Sequence, residues 1–308
     1  MNTLTLPPSM RVLERGWLSS NCVLFLGGDE TVLVDSGYGS HASQTVALVT
    51  HALANAGVSG GLDRIVNTHL HSDHCGGNTA LHARYACRIE IPVGYAEAVR
   101  VWDDDALSFA ATGQACERFG FDATIAAGDT LTLGGLNWQA LAAPGHDDDS
   151  LIFYCAEEGI LISADALWEN GSGAIFPELD RPLGFPAAQA TLALIASLDT
   201  RLVIPGHGAP FTDVSSALRR AFSRLAHLAA NPQRNARHVV KVLLKFKLLE
   251  VRRMSLADIE AMFREVPIIE LANRDLALDA GELAQHTAAD LVRAGVARFE
   301  SDVLIDAG

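Results

Sequence analysis

The stretch Thr68-His69-Leu70-His71-Ser72-Asp73-His74-Cys75-Gly76-Gly77 sets three imidazoles and a carboxylate within six residues. Neutral imidazoles and carboxylates are the ligands that borderline-hard cations such as Zn²⁺ prefer. The residues before it, Arg64-Ile65-Val66-Asn67, read as a short strand, and Gly76-Gly77 lead into a helix predicted from about 77 to 85. A loop leaving a strand splays alternate side chains. His69 and His71 are therefore expected to point one way, Asp73 and His74 another. That arrangement suits two adjacent cations better than one.

Three other loops have the same character. Ala143-Pro144-Gly145-His146 follows a predicted strand at 137–142, and Ser163-Ala164-Asp165 follows one at 160–163. Ile204-Pro205-Gly206-His207-Gly208 closes one at 201–204. Each places a metal-competent side chain just past a strand, and the glycines let the backbone turn. A single Gly-His is an ordinary loop histidine. Four strand-end ligand positions in one chain point to a shared centre.

Further out, runs 21–26, 31–35, 88–91, 130–133 and 151–155 also read as strands. Residues 40–56 read as a helix with Ser40 as N-cap and Gly57 as stop, and 94–102 and 186–198 as further helices. Residues 104–128 read as a helix-rich insertion. After 212 the pattern turns helical at 213–230 and 236–251. A helix start follows at Ser255 with Asp258 at its third position, then a helix at 282–293 and a terminal hairpin from 296 to 305. This order predicts an α/β fold of sheets between helices over residues 1–212. A mainly helical, winged-helix-like region is expected over 213–308.

Composition agrees with two regions. The 308 residues are 49% apolar and 19% charged, which excludes a disordered chain. No apolar run approaches the ~20 residues of a membrane span, and Met1–Pro8 lacks the basic and apolar regions of a signal peptide. The expected setting is the cytoplasm. Cys22, Cys75, Cys87, Cys116 and Cys155 are odd in number and widely spaced, so they read as buried thiols, with Cys75 packed beside the site. The net charge of −14 is uneven. Residues 1–210 hold no lysine and carry −15, whereas 219–253 hold ten cations against one anion, Glu250. That basic segment reads either as a solvated helix face or as an attraction for an anionic substrate or partner. Trp17, Trp102, Trp138 and Trp168 look too scattered for a stacking platform. Asp148 and Asp149 read as a solvated acidic loop, and the six remaining histidines as structural or solvent-facing.

The series H-x-H-x-D-H, Gly-His, Asp, Pro-Gly-His resembles the metallo-β-lactamase-fold hydrolase superfamily over residues from about 10 to 212. The resemblance implies an αββα sandwich with metals at one sheet edge. It implies that His69, His71 and His146 hold one divalent ion, that Asp73, His74 and His207 hold a second, and that Asp165 bridges both. Zinc is the expected ion; iron and manganese also suit the ligands. Asp35, in Val34-Asp35-Ser36-Gly37, resembles the family's early aspartate that supports the site from behind the ligands.

Two cations sharing a water make hydroxide available near neutral pH and polarise a carbonyl or phosphoryl oxygen. Asp73 is the residue expected to orient that hydroxide and pass a proton. Antibiotic-cleaving members carry cysteine or nothing at the bridging position, so Asp165 argues against a β-lactamase. His71 stands where oxygen-reducing di-iron relatives carry glutamate, which favours hydrolysis over redox chemistry; mono-iron sulfur dioxygenases share the motif. The leading expectation is a hydroxyacylglutathione hydrolase-like enzyme that cleaves a thioester or ester of a small anionic molecule. The alternative is a metal-dependent endoribonuclease or phosphodiesterase with a winged-helix-like tail. A third reading, a sensor with a vestigial metal site, conflicts with the intact ligand series. A homo-oligomer is compatible with all three.

Overall fold

Short strands whose residues are apolar at every position can be buried on both faces. In the first two-thirds of the chain the strands Cys22–Phe25, Val32–Val34, Leu151–Cys155 and Leu202–Pro205 are of this kind and buried throughout. The computed structural model describes residues 6–176 and 183–307, so the Met1–Thr5 part of the leader reading lies outside the described residues. One sheet runs β1 (Met10–Leu13), β2 (Cys22–Phe25), β3 (Val32–Val34), β4 (Arg64–Val66), β5 (Arg88–Pro92) and β6 (Ala123–Ile125), in that spatial order. Its first three strands pair antiparallel, and β3 to β6 pair parallel. The second sheet contains β7 (Thr130–Leu133), β8 (Leu136–Ala142), β9 (Leu151–Cys155), β10 (Ile160–Ala164) and β11 (Leu202–Pro205), and only β10 and β11 pair parallel.

Side-chain alternation assigns the layers. On β9, Leu151, Phe153 and Cys155 face the cluster between the sheets, while Ile152 and Tyr154 face the opposite way. On β3, Val32 and Val34 face the partner sheet and Leu33 faces outward. The outer face of the first sheet is covered by α1 (Ala42–Asn55), α3 (Asn78–Tyr85) and α4 (Ala96–Val101) through Val49, Leu53, Leu81 and Val99. That of the second is covered by α6 (Gly184–Ser197) and α7 (Val214–Ala229) through Leu192, Ile195, Ala217, Ala221 and Leu225. The result is the expected helix–sheet–sheet–helix sandwich. Two short helices, α2 (Ser72–Cys75) and α5 (Phe109–Thr112), lie in its connections.

The C-terminal region holds α8 (Pro232–Val251), β12 (Arg253–Ser255), α9 (Leu256–Glu265), α10 (Pro267–Leu276), α11 (Ala280–Arg293), β13 (Ala297–Glu300) and β14 (Val303–Asp306). The strands form a sheet in the order β12-β14-β13. Ser255 caps α9 in a reciprocal box with Asp258, as its sequence suggested. The expected three helices and hairpin gain a strand, β12, too short to show periodicity, and a helix, α10, that starts at Pro267.

The apolar clusters change at the turn Ala230–Asn231, one helix beyond the boundary expected after residue 212. The buried stripe of α7 packs with α6, whereas Ala236 and everything buried after it join the C-terminal cluster. The charge shift reflects the exposed face of α7, while the core follows its apolar stripe.

Two local expectations are corrected. Residues 104–128 hold only α5 and β6. The N-cap of α1 is His41, not Ser40, because a 3-10 turn at Gly39–His41 precedes the helix, and neither side chain caps it. Among the described residues, no helix is long and apolar enough to cross a membrane.

Candidate metal centre

In the second sheet β8, β10 and β11 run in one direction, and in the first β3 and β4 run parallel. The loops that follow these five strands bring Asp35, His69–His74, His146, Asp165 and His207 to one edge of the sandwich. The ligand atoms form two groups, within each of which they lie inside 4.8 Å of one another. One is His69, His71 and His146; the other is Asp73, His74, Asp165 and His207. The split between His69/His71 and Asp73/His74 is the one the alternating loop predicts. Asp165 faces both groups: its Oδ2 lies 3.3 Å from His146 Nε2, and its Oδ1 lies 3.4 Å from His74 Nε2 and 3.8 Å from His207 Nε2.

The imidazoles are oriented from behind. His74 Nδ1 donates to Asp35 Oδ2 at 2.8 Å, and His146 Nδ1 donates to the Ala174 carbonyl at 2.5 Å. Both rings thus turn Nε2 towards the centre, where each is buried without a hydrogen-bond partner; His207 Nδ1 is also unpartnered. Buried polar atoms without partners are costly. Asp35 itself accepts from the Thr68 backbone N–H at 2.9 Å and from Thr68 Oγ1 at 2.8 Å. It holds this place from a left-handed backbone at φ +59°, a conformation non-glycine residues seldom adopt outside functional sites.

Charge points the same way. Burial, reinforced by neighbouring histidines, holds His69 well below its usual range, and burial with His146 holds His71 at about 4, so both rings are neutral near pH 7, the form a metal ligand needs. Burial would push Asp73 and Asp165 up, but His74 and His207 overcome it and keep both carboxylates ionised. For His74 burial favours the neutral ring, yet Asp35, Asp165 and Asp73 outweigh it and hold the ring protonated. A buried pocket that forces positive charge onto an imidazole is one that a cation fits. The donor set, the orphaned nitrogens and the convergent carboxylates all fit a divalent metal.

The second sheet's loop is pinned to the first. Asn21 Nδ2 donates to the Pro205 and Gly208 carbonyls at 2.9 and 2.7 Å, and its backbone N–H donates to Gly206 O at 2.7 Å. Gly206 is needed for space: an added Cβ would overlap Asp165 Oδ1 and come within 3.0 Å of His74 Cε1.

By sequence Trp168, close behind Asp165, is open to a place in the pocket wall or in the core, and Trp17 and Asp147 are not singled out. Trp17 stacks on His207 at 5.4 Å between centroids, 6° from parallel, and meets Trp168 edge-on at 5.3 Å. Trp168 Nε1 donates to Asp165 Oδ1 at 3.2 Å. Two of the four scattered tryptophans are therefore joined at the site by the fold. In the acidic loop, Asp147 rather than Asp148 or Asp149 reaches the cluster: its Oδ2 is 3.6 Å from His71 Nε2, and Tyr95 Oη donates to its Oδ1. Cys75 is buried, with its Sγ 3.8 Å from that of Cys116. A cavity of about 600 Å³ opens over the centre, walled by Trp17, Trp168, Phe176 and one side of α8. His238, set aside with the structural histidines, lines it.

Residues 15–207 match the family described as the metallo-beta-lactamase superfamily. The chain is 32% identical over 168 residues to a hydroxyacylglutathione hydrolase of Synechococcus sp. (strain JA-3-3Ab), covering 54% of this chain and 57% of that protein. It is 32% identical over 115 residues to a hydroxyacylglutathione hydrolase of Rhodopseudomonas palustris (strain HaA2), covering 37% of this chain and 38% of the relative. The chain thus spans about two-fifths to just over half the length of these curated relatives. Among solved structures, a metallo-beta-lactamase family protein from Thermus thermophilus aligns over 98% of this chain and 100% of its own, with a TM-score of 0.59 at 22% identity.

Proposed function

The chain belongs to the metallo-beta-lactamase superfamily, and from that premise we propose that it is a metal-dependent hydrolase of thioesters or related esters. The observation that carries this reading is the single carboxylate of Asp165 facing both ligand groups at 3.3–3.8 Å. In it, His69, His71 and His146 would hold one ion and Asp73, His74 and His207 the other, with Asp165 placed to serve both. Zinc is the ion proposed. Divalent ions there supply Lewis acidity and an activated water near neutral pH.

The chain's own side chains do the rest. Asp35 and the Ala174 carbonyl fix the tautomers of His74 and His146. Asp73 Oδ2 lies 3.0 Å from His207 Nε2, so the two would share an ion through these atoms, and Asp73 Oδ1 would orient the attacking water and carry its proton to the leaving sulfur. Trp17 and Trp168 shield that side from bulk solvent. Water adds to the acyl carbon, the C–S bond breaks, and a carboxylic acid and a thiol leave. The similarity to hydroxyacylglutathione hydrolases supports the thioester class. As part of the same reading, residues 1–212 with α7 form the catalytic unit and the chain from α8 onward a lid-like second unit.

Elemental analysis of the purified chain, followed by acyl thioester hydrolysis with and without chelator, tests the reading. Two ions per chain and chelator-sensitive turnover are expected. Asp165→Ala should lose at least one ion and cut kcat at least a hundredfold. No turnover of any acyl thioester by the metal-loaded chain would overturn it.

A second reading, metal-dependent cleavage of RNA, is favoured by the C-terminal order α8-β12-α9-α10-α11-β13-β14 with β14 central, which is the order of a winged helix with one helix, α10, added. It requires RNA binding that weakens steeply with salt. Absent or salt-independent binding excludes it.

A further inference from the structure

Helix α8 turns one face to the cavity over the centre: His238, Lys241, Val242, Lys245, Phe246 and Leu249 all line it. Their spacing of three and four is one stripe of a helix, about 16 Å long at 1.5 Å per residue. The stripe is chemically divided along its length. Its N-terminal end carries His238 and Lys241, joined at the rim by Arg224 from α7. Its C-terminal end carries Phe246 and Leu249, continued by Leu291 and Val296 from the C-terminal unit.

The cations differ in commitment. Lys245 is tied to Asp306 and to the Val296 carbonyl, and Lys247 to Glu250 at 2.7 Å. Arg224 Nη2 donates to His238 Nε2 at 3.1 Å, which fixes the guanidinium at the edge of a neutral ring. Burial, with Arg224 and Lys241 nearby, holds His238 down to about 3 and so keeps that ring an acceptor. Among the described residues, no carboxylate lies within ion-pair distance of Arg224 or Lys241. Asp73 and Asp165 lie on the metal-ligand side of the same cavity; on the α8 side, among the described residues, these two cations have no carboxylate partner and so form an incomplete site.

We infer that Arg224 and Lys241 form an anion subsite, and that the substrate is an amphiphilic acyl ester or thioester with an anionic group at one end and an apolar body at the other. This rests on the hydrolytic reading for the bond cleaved, but not for the binding. The anion, carboxylate or phosphate, sits between Arg224 and Lys241. The apolar body lies along Val242, Phe246 and Leu249, and the scissile carbonyl lies over the metal ligands beneath them. The apolar half of the stripe offers few partners to a polar tripeptide carrier such as glutathione.

Calorimetry on the metal-loaded whole chain tests the subsite without turnover. The probes are 4-phenylbutyrate, phenethyl phosphate and the uncharged 4-phenylbutanol. At least one anion should bind tenfold or more tightly than the alcohol, and comparison of the two assigns carboxylate or phosphate. Arg224→Gln with Lys241→Gln should reduce that preference at least tenfold. Arg219→Gln, on the open outer face of α7, should preserve it, and Arg224→Lys should retain most of it. Equal binding of charged and uncharged probes overturns the inference. So does a charge preference that survives the double variant and disappears on chelation, since the anion then sits on the metals. In turnover, the ratio of kcat/KM for thioesters that carry an aryl body and a separate carboxylate or phosphate over glutathione thioesters should exceed ten. An unchanged thermal transition shows that the double variant folds. Variant-sensitive anion binding with no thioester turnover would sink the hydrolytic reading and leave the subsite standing.

Discussion

Asp35 shows how a residue outside the donor set can govern it. Three hydrogen bonds converge on its carboxylate, from the Thr68 backbone, the Thr68 hydroxyl and His74 Nδ1. Partners of this kind raise the basicity of a ligand and fix its tautomer, and losing one typically lowers metal affinity 10–100-fold. Asp35→Asn should therefore weaken metal binding by about that factor in a chelator-competition titration, with the fold retained. Affinity equal to wild type would remove Asp35 from this role. That the seven candidate ligands and Asp35 would meet was legible because imidazoles and carboxylates just past strands have few other uses in such numbers. Trp17, Asp147 and His238 were not: Trp17 lies far along the chain from His207 and Trp168, and Asp147 and His238, though near the site residues in sequence, are turned to the centre or its cavity only by packing.

Elements carry the precision of the site. Strand β10 ends in Ala164 at φ +45°, next to a register shift against β11, and this turn aims Asp165 at both ligand groups. Periodicity located β10 but could not foresee the bulge, since a bulge is set by pairing with another strand. Capping was more readable. Ser255 and Asp258 satisfy each other's backbone donors at the start of α9, a local signal that needs no tertiary context. Ser255→Ala should cost about 1 kcal/mol of stability, read from thermal or denaturant unfolding, with metal content unchanged. The opposite failure is β12: three residues cannot display a period of two, and they become a strand only because Val303–Ile305 offer an edge.

At the scale of the molecule, titration links the C-terminal unit to stability. The folded chain holds His238 at about 3, well below its usual 6.5, because burial and two cations disfavour the charged ring. Between these values the unfolded chain binds a proton that the folded chain refuses, so stability falls as pH drops from 6.5 towards 3. His238→Gln should flatten that fall in transition temperature between about pH 7 and pH 4; an unchanged slope would contradict the assignment. The acid-facing centre and the basic stripe of α8 were both visible in composition as an uneven charge. Composition alone could not say that they line one cavity. Ligand chemistry, strand–helix order and local caps belong to the sequence because they depend on residues a few positions apart. The two-group split of the donors about Asp165, the pairing of Trp17 with His207, and the meeting of α8 with the centre belong to tertiary structure. Each depends on the packing of layers that contact one another only once the chain has closed.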